Sequence, residues 1–303
     1  MIHGVLNFNK SSGLTSHDVV NQIRHFLGLK QVGHLGTLDP LATGVLPILI
    51  GYATRLADLA HSQKEYLATC LLGIRTDSED ISGRVISEEP VPPIPPQKIQ
   101  QIVQSFKQIQ QQIPPMASAV KVQGQRLYKK FRLGQEVERM PRPIRIYESE
   151  VVTIVESRVS FRVVCSKGTY IRSLCKLLGE QLGIGACLEK LVRIAAGPFH
   201  IDQSVSFNQL QTLTREEIQN RFLLDPLVLI PHVPQIGLTD GELQQFRHGQ
   251  KIKKDVDLTE WVSIVNLNHQ LIGLAQIRTD GGSQTWIIPK KVFVCGTQDA
   301  NES

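Results

Sequence analysis

GHLGTLDPLATGVLP, residues 33–47, is the most telling part of the amino-acid sequence. Its spaced glycines permit unusual backbone angles around Asp39, a short carboxylate that Pro40 fixes in place. Residues 33–44 show no helical or strand period and predict a loop, whereas the apolar run 45–50 predicts a buried strand. We therefore expect Asp39 on a loop that packs against a core strand.

Local chemistry alone gives Asp39 two interpretations. An aspartate before a proline commonly starts a turn and caps a neighbouring amide, and this structural role is favoured when the loop is considered by itself. A reactive carboxylate is the alternative, because functional groups are often carried on loops. A phosphate-binding loop is not supported, since the stretch contains neither G-x-x-x-x-G-K-[ST] nor G-x-G-x-x-G.

Helices and strands are predicted on both sides of this loop. Toward the N-terminus, residues 5–8 predict a strand, and the capping box at 15–18 predicts a helix that stops at Gly28. Toward the C-terminus the predicted elements are strand 66–72, helix 99–106, strands 151–155 and 159–165, helix 174–182, and a helix capped at 214–217. Residues 166–172 thus fall at a strand-to-helix junction, which is suited to presenting polar side chains.

The chain length predicts two unequal domains. With 303 residues and 33.8 kDa, the chain exceeds the usual size of one domain. The proline-spaced stretch 226–234 is typical of a connector between domains. Beyond it, strands predicted at 261–265, 271–277 and 286–288 indicate a small β-rich module.

The composition is that of a folded protein without a membrane segment. The chain is 41% apolar and 20% charged, and no run approaches the roughly 20 apolar residues that a membrane helix needs. The N-terminus lacks the features of a signal peptide, so we expect a cytoplasmic protein. The five cysteines form no C-x-x-C pair, which argues against a disulfide framework and against a zinc site.

Basic residues are concentrated between positions 126 and 145. The net charge of +5 is modest, but this segment carries seven basic residues against two glutamates. Tyr128 and Phe131 lie among them, so phosphate pairing and base stacking would share one surface. On this feature alone, an RNA-binding surface and an ordinary solvated face remain equally open.

The 33–47 stretch resembles the G-H-x-G-x-L-D-P-x-A-x-G-x-L-P signature of TruB-type pseudouridine synthases. The resemblance continues, in the family's order, through the motifs KEY at 64–66, GIRTDS at 73–78, QIPPM at 112–116 and CSKGTYIR at 165–172. It covers at least residues 4–200. The chain departs from the family where Lys10-Ser11 replaces Lys-Pro and where Pro115-Met116-Ala117-Ser118 replaces Pro-Met-Tyr-Ser. Neither change touches Asp39. A third departure is Leu191-Val192-Arg193, which keeps one of the two basic residues of the family's Leu-Arg-Arg.

The resemblance implies three catalytic residues. Asp39 would be the nucleophile, and Arg172 would be its ionic partner, which keeps it ionised by lowering its pKa. Tyr170 would lie against the target base as the candidate for removing its C5 proton. Isomerising uridine breaks the N1–C1′ bond and joins C5 to C1′ without gaining an atom from outside. No metal ion and no organic cofactor are therefore expected.

The resemblance also implies how the target base is held. The base must leave its stack to reach a buried carboxylate, and Tyr66 would stack on it together with Tyr170. His34 would help to take the place of the extruded nucleotide in the RNA stack. Leu191 would be an apolar wall of the pocket.

The fold implied by the family is α+β. A catalytic domain at 1–230 would contain a large mixed, mostly antiparallel sheet flanked by helices and an RNA-binding insertion at about 88–148. A small β-rich, PUA-like RNA-binding domain would follow at 231–303. RNA contacts are expected from Lys10, Lys64, Arg126, Lys129, Lys130, Arg132 and Arg193.

The implied substrate is the T arm of tRNA, whose uridine-55 would become pseudouridine. We expect a monomer that needs no protein partner. Two alternatives stay open: a guide-RNA-dependent relative of the archaeal and eukaryotic kind, and a catalytically silent RNA chaperone that uses only the basic surface.

Overall fold

The computed structural model describes residues 2–60, 63–122, 124–256, 260–280 and 284–293. Residues 294–303, which were assigned to the C-terminal module and include Cys295, lie outside these ranges. Within the described ranges, no helix combines the length and the apolar character needed to cross a membrane.

Twenty strands, seven α-helices and four short 3-10 helices make up the regular structure of the described residues. The strands are β1 Gly4–Lys10, β2 Val32–His34, β3 Thr43–Ile50, β4 Lys64–Leu72, β5 Ile74–Thr76, β6 Val85–Glu88, β7 Gln111–Gln112, β8 Lys121–Val122, β9 Gln125–Arg126, β10 Arg142–Pro143, β11 Ile146–Val155, β12 Arg158–Cys165, β13 Ala186–Ala196, β14 Phe199–His200, β15 Leu223–Leu224, β16 Gln235–Gly237, β17 Ile252–Lys253, β18 Trp261–Val265, β19 Leu271–Thr279 and β20 Thr285–Val292. The helices are α1 Ser16–Phe26, α2 Pro96–Ser105, α3 Leu127–Arg132, α4 Ile171–Leu182, α5 Phe207–Gln211, α6 Arg215–Phe222 and α7 Asp240–Arg247.

A nine-stranded sheet forms the centre of the larger domain. Seven of its strands follow the order β11-β12-β4-β13-β3-β1-β15, while β2 pairs with β3 and β14 pairs with β13. Within this nine-stranded sheet the strand pairings are antiparallel except that of β13 with β3, where Val192 lies opposite Thr43 and Arg193 opposite Gly44. The expected mixed, mostly antiparallel sheet is confirmed. Strand β13 itself was not predicted, because charged residues interrupt its apolar pattern.

Helices α1, α2 and α4 share one hydrophobic core with this sheet. Helix α1 begins at the predicted capping box, in which Thr15 and Asp18 cap each other's backbone amides. Helix α4 ends at Gly183, whose φ of 79° favours glycine and explains the predicted stop. The apolar faces predicted for these helices are therefore the faces that pack against the strands.

The loop that carries Asp39 is shorter than predicted. The strand expected at 45–50 is confirmed within β3, but β3 begins earlier, at Thr43. The first two positions of the expected loop belong to β2, which pairs with the end of β3. A strand of three residues is too short to show an alternating pattern in the sequence.

A five-stranded sheet, in the order β16-β18-β19-β20-β17, forms a second and smaller domain with α7. The three strands predicted there are confirmed, and two of them are longer than predicted. Helix α7 was not predicted, although Thr239 and Glu242 form a capping box at its start.

The connector between the two sheets is packed rather than extended. Leu229, Ile230 and Val233 are buried in a second core that also contains Leu49 of β3 and Leu274 of β19. Of the prolines in this stretch, Pro226 is buried, whereas Pro231 and Pro234 are exposed. The apolar residues between them therefore anchor the connector.

Candidate active site

Asp39 lies in a cavity of about 210 Å³. The cavity is lined by the Asp39 loop, by β4 and β13, by the segment before β8, and by the start of α4. Its other lining residues are Thr37, Leu38, Lys64, Tyr66, Ser118, Ala119, Gly168, Thr169, Tyr170, Ile171, Arg172 and Leu191. Five of the six residues with a predicted catalytic or base-binding role thus meet here, and His34 is not among the lining residues.

Hydrogen bonds to helix α1 fix the loop beside Asp39. The hydroxyl of Ser16 donates to the carbonyl of Leu38 at 3.1 Å and accepts the amide of Leu38 at 2.8 Å. The amide of Ala42 donates to the carbonyl of Asp39 at 3.0 Å and closes a turn. The Asp39 side chain keeps one third of its surface, 33%, exposed toward the cavity.

Arg172 is paired with Asp39. Nη2 of Arg172 donates to Oδ1 of Asp39 at 3.2 Å, and Nε lies 3.0 Å from Oδ2. Arg172 is in the first turn of α4, directly after the strand-to-helix junction, and its side chain is only 3% exposed. The carboxylate is thus oriented by a cation that the protein interior holds still.

Groups other than Asp39 also contact the guanidinium of Arg172. Nη1 donates to the carbonyl of Ser78 at 3.0 Å, and Nη2 donates to that of Ala117 at 2.9 Å. Oδ2 of the buried Asp80 lies 3.6 Å from Nη1. Oδ1 of Asp80 accepts hydrogen bonds from the Ser78 hydroxyl at 2.9 Å and from the Ser82 amide at 3.0 Å. Sequence reasoning missed Asp80, although it lies just beyond the GIRTDS motif.

The pKa of Asp39 reflects two opposing effects. Burial of the carboxylate raises its pKa above the ordinary value, while the charge and hydrogen bond of Arg172 lower it. Burial is the larger effect, and nearby Asp80 adds to it. The pKa of Asp39 is therefore raised, whereas the ion pair alone would lower it.

The two tyrosines approach the cavity from different elements. Tyr66 lies on β4 next to β13, and burial raises its pKa. Tyr170 directly precedes α4, and burial raises its pKa as well. The side chain of Gln112 binds the backbone of Tyr170 twice: Oε1 accepts its amide at 2.7 Å, and Nε2 donates to its carbonyl at 2.9 Å. Gln112 belongs to the QIPPM motif, but the sequence suggested no role for it.

Two of the cations expected to contact RNA are buried. Lys10 and Arg193 are each 0% exposed. Nζ of Lys10 donates to the carbonyls of Ser11, Leu14 and Pro40, and Arg193 donates to those of Val45 and Gly36. Neither side chain therefore offers exposed surface for the RNA contact that was predicted for it. Their charged ends instead tie backbone segments together around the Asp39 loop.

Lys64 differs from these two cations. Its side chain is half-buried at the cavity wall, and among the described residues its ammonium has no hydrogen-bond or ion-pair partner. A Cβ atom placed on Gly36 would lie 2.7 Å from Nζ of Lys64, so glycine makes room for this side chain. Burial, and then the charge of Arg193, lower the pKa of Lys64 to about 8.

His34 is half-buried at the end of β2. Its Nδ1 atom is buried, and it has no hydrogen-bond partner among the residues that the structure describes. Burial, and then the charge of Arg193, lower the pKa of His34 to about 4, so the ring is neutral at neutral pH.

The basic segment includes the short helix α3. Arg126, Lys129 and Arg132 are exposed and Lys130 is half-buried. The guanidinium of Arg132 lies 5.6 Å from the ring centroid of Tyr128, which keeps the aromatic ring and the cation on one surface. This helix follows Ser118 and Ala119 of the cavity wall by only a few residues, so the exposed cations are close to the cavity along the chain.

Three family descriptions match consecutive parts of the chain. Residues 24–171 match "TruB family pseudouridylate synthase (N terminal domain)". Residues 172–230 match "tRNA pseudouridylate synthase B C-terminal domain", and residues 234–293 match "Pseudouridine synthase II TruB, C-terminal". The boundary between the last two matches falls in the packed connector between the two sheets.

Whole-chain comparisons agree with these matches. A protein of Heliobacterium mobile named tRNA pseudouridine synthase B is 40% identical over 282 residues, which is 91% of this chain and 90% of that protein. A protein of the same name from Alkaliphilus oremlandii (strain OhILAs) is 39% identical over 293 residues, 94% of this chain and 97% of that protein. A chain in the crystal structure of a Cbf5-Nop10-Gar1 complex shares the fold with a TM-score of 0.71 and 27% identity, over 96% of this chain and 85% of that chain. This chain therefore belongs to the TruB family of pseudouridylate synthases.

Proposed function

We propose that this chain isomerises uridine-55 in the T loop of tRNA to pseudouridine, with Asp39 as the nucleophile. The observation that carries the proposal is the Asp39–Arg172 pair in a cavity that Tyr66 and Tyr170 also line. The names of its relatives, tRNA pseudouridine synthase B, support tRNA as the substrate.

Asp39 would form a transient covalent bond with the nucleotide, either at C1′ of the ribose or on the base. The N1–C1′ bond breaks, the uracil ring turns, and a C5–C1′ bond replaces the broken one. The transient bond to Asp39 is cleaved as well, which restores the free carboxylate. C5 loses a proton and N1 gains one, so the overall atom count is unchanged. The contact with Arg172 favours the ionised carboxylate that this attack requires, against the effect of burial.

The cavity suits a uracil ring that has left its stack. Tyr66 offers a face for stacking, and Leu191 supplies an apolar wall beside it. We assign Tyr170 to contact with the base and to removal of the C5 proton. Because burial raises its pKa, its phenol is protonated at neutral pH and must give up that proton before it accepts another. Neutral His34 would occupy the space that the extruded nucleotide leaves in the RNA.

RNA would be held by both domains. In this proposal residues 1–230 form the catalytic domain, in which the insertion at about 88–148 presents exposed Arg126, Lys129 and Arg132 to phosphates. Lys64 is the cation of the cavity wall that remains available to the target nucleotide's phosphate. Residues 231–303 would form a second RNA-binding domain. We expect the chain to work as a cytoplasmic monomer.

The test compares the wild type with Asp39→Asn and with Asp202→Asn, a matched control whose side chain is 82% exposed. Each purified protein is incubated with unmodified tRNA and with a bare T-arm stem-loop, and pseudouridine is mapped by carbodiimide labelling and primer extension. Wild type and Asp202→Asn should modify position 55 of both RNAs. Asp39→Asn should bind tRNA without modifying it.

The outcomes separate this proposal from its alternatives. Modification that appears only after guide RNA particles are added would instead indicate a guide-dependent enzyme. Pseudouridine formation by Asp39→Asn at the wild-type rate would overturn the assignment of the nucleophile. A biological effect that Asp39→Asn fully retains, with no pseudouridine formed by the wild type, would indicate an RNA chaperone.

A further inference from the structure

Ser118 brings a buried hydroxyl group to the wall of the active-site cavity. The residue is only 4% exposed, and it lines the cavity together with Tyr170. Its Oγ atom is buried and has no hydrogen-bond partner among the residues that the structure describes. Buried hydroxyl groups usually have such a partner, because burial removes their hydrogen bonds to water. A serine without one at a reaction cavity therefore calls for a functional explanation.

The backbone around Ser118 is fixed by hydrogen bonds. The amide of Ser118 donates to the carbonyl of Met116 at 2.9 Å, and the carbonyl of Ser118 accepts the amide of Tyr128 at 2.9 Å. The carbonyl of the preceding residue, Ala117, accepts Nη2 of Arg172 at 2.9 Å. The backbone groups of Ser118 are thus engaged, whereas its hydroxyl can still donate to a new acceptor in the cavity.

The group on which the Ser118 hydroxyl acts is the phenol of Tyr170. Burial raises the pKa of this phenol, and among the groups that lower it the Ser118 hydroxyl has the largest effect. The charges of Arg172 and Arg142 lower the same pKa further, and that of Asp39 raises it. Ser118 is therefore close enough to influence the ionisation of Tyr170, although its hydroxyl is not hydrogen-bonded to the protonated phenol. Its effect has the direction that a base requires.

We infer that Ser118 stabilises the phenolate of Tyr170: its hydroxyl donates a hydrogen bond to the phenolic oxygen once that oxygen has lost its proton. The phenol proton leaves to solvent on the exposed side of the half-buried Tyr170. The phenolate then takes the proton from C5 of the base and becomes a phenol again. Ser118 acts through Tyr170 and is a positioning residue. Its role rests on the proposed function, in which Tyr170 removes the C5 proton.

A matched control separates this role from simple packing. Ser87 of β6 also has a buried hydroxyl oxygen without a hydrogen-bond partner among the described residues, but it does not line the cavity. If Ser118 only fills space, Ser118→Ala and Ser87→Ala should behave alike in every assay. If Ser118 stabilises the phenolate, the two variants should differ wherever the ionisation of Tyr170 is measured.

A kinetic test measures pseudouridine formation in a single turnover with tRNA. Ser118→Ala should react about 10- to 100-fold more slowly than the wild type, because it loses one hydrogen bond to a charged oxygen. Ser87→Ala should react at the wild-type rate, and both variants should bind tRNA like the wild type. Deuterium at C5 of the target uridine should slow Ser118→Ala more than it slows the wild type, because proton removal then limits the rate. An unchanged rate and isotope effect would overturn the inference.

A direct titration of residue 170 requires neither RNA nor catalysis. With 3-fluorotyrosine incorporated at position 170, a single fluorine NMR signal reports the ionisation of that phenol. Its pKa should be higher when Ser118→Ala is also present, and it should be unchanged by Ser87→Ala. Equal pKa values in all three proteins would refute the role of Ser118. If the wild type forms no pseudouridine, the proposed function fails, but this titration still decides whether Ser118 acts on Tyr170.

Two further proteins protect the test against a change in packing. Ser118→Cys keeps the size of the side chain but has a weaker donor, so its rate and its pKa at position 170 should lie between those of the wild type and Ser118→Ala. The phenol of 3-fluorotyrosine is more acidic than that of tyrosine, so placing it at position 170 should restore part of the rate that Ser118→Ala loses. A rate that stays at the level of Ser118→Ala would show that the serine acts on packing instead of on the phenolate.

Discussion

Asp80→Asn removes one of the two negative charges that face Arg172. Oδ2 of Asp80 lies 3.6 Å from Nη1 of Arg172, and both side chains are buried. Unit charges at this distance interact by about 4.6 kcal/mol at an effective dielectric constant of about 20. This value is an upper limit, because asparagine can still accept the hydrogen bonds from Ser78 and Ser82. We therefore expect the free energy of unfolding to fall by about 2 to 4 kcal/mol.

The same substitution should slow catalysis more than it weakens RNA binding. Asp80 does not line the cavity, so tRNA should bind Asp80→Asn with a dissociation constant within about twofold of the wild-type value. The guanidinium of Arg172 loses one of its anchors and orients Asp39 less well, so the single-turnover rate of pseudouridine formation should fall about tenfold or more. Urea unfolding, tRNA binding and single-turnover kinetics measure the three quantities on one preparation.

Asp77→Asn is the matched control. Asp77 lies in the same turn, but its ion pair with Arg84 spans 3.7 Å at the surface, where Arg84 is 84% exposed. Removing such a pair should change the free energy of unfolding by less than about 1 kcal/mol and leave the rate unchanged. If Asp80→Asn and Asp77→Asn unfold at the same urea concentration and react at the wild-type rate, Asp80 does not position Arg172.

Three further substitutions test other parts of the structure. Gly44→Ala should lower the free energy of unfolding by at least about 2 kcal/mol in a urea titration. Gly44 has a φ of +97°, and the new Cβ would lie 2.3 Å from the carbonyl oxygen of Arg193. An unchanged unfolding midpoint would contradict this packing. The pKa of His34 is about 4 in the folded chain, which is lower than in the unfolded chain. As the pH falls from 6.5 toward 4, the unfolded state therefore binds more protons, and the free energy of unfolding declines. His34→Gln should lose less stability than the wild type between pH 6.5 and 4.5, and parallel losses in the two proteins would show that His34 does not contribute. Gln112→Ala removes two hydrogen bonds from the backbone of Tyr170 and should lower kcat about tenfold with little change in KM, whereas a change confined to KM would count against a positioning role.

The sequence identified those site residues that are part of local motifs. Asp39, Tyr66, Tyr170 and Arg172 each lie in a motif of neighbouring residues, so their order along the chain is recognisable in the amino-acid sequence alone. The helix boundaries at Thr15 and at the end of α4 followed from capping residues, which act within a few positions of the helix end.

The features that the sequence did not reveal depend on contacts between distant residues. The strands that pack around Lys10 and Arg193 decide that these side chains do not reach solvent. The residue type alone indicates only that a charged group, if buried, needs a polar partner. The role of Asp80 beside Arg172 was hidden for a similar reason. The turn that holds Asp80 meets α4 across a sequence separation of 94 residues, measured from Ser78 to Arg172.

The parallel pairing of β13 with β3 determines how early the active site can form while the chain is being synthesised. Arg193 donates a hydrogen bond to the carbonyl of Gly36, which was added to the chain 157 residues earlier. At about 5 to 20 residues per second, the ribosome needs roughly 8 to 30 s to make the intervening segment. During that time the Asp39 loop lacks the strand that closes the sheet beside it. A growing chain is therefore inactive until β13 has left the exit tunnel, and the cell gains a competent RNA-modifying site only when most of the polypeptide is complete.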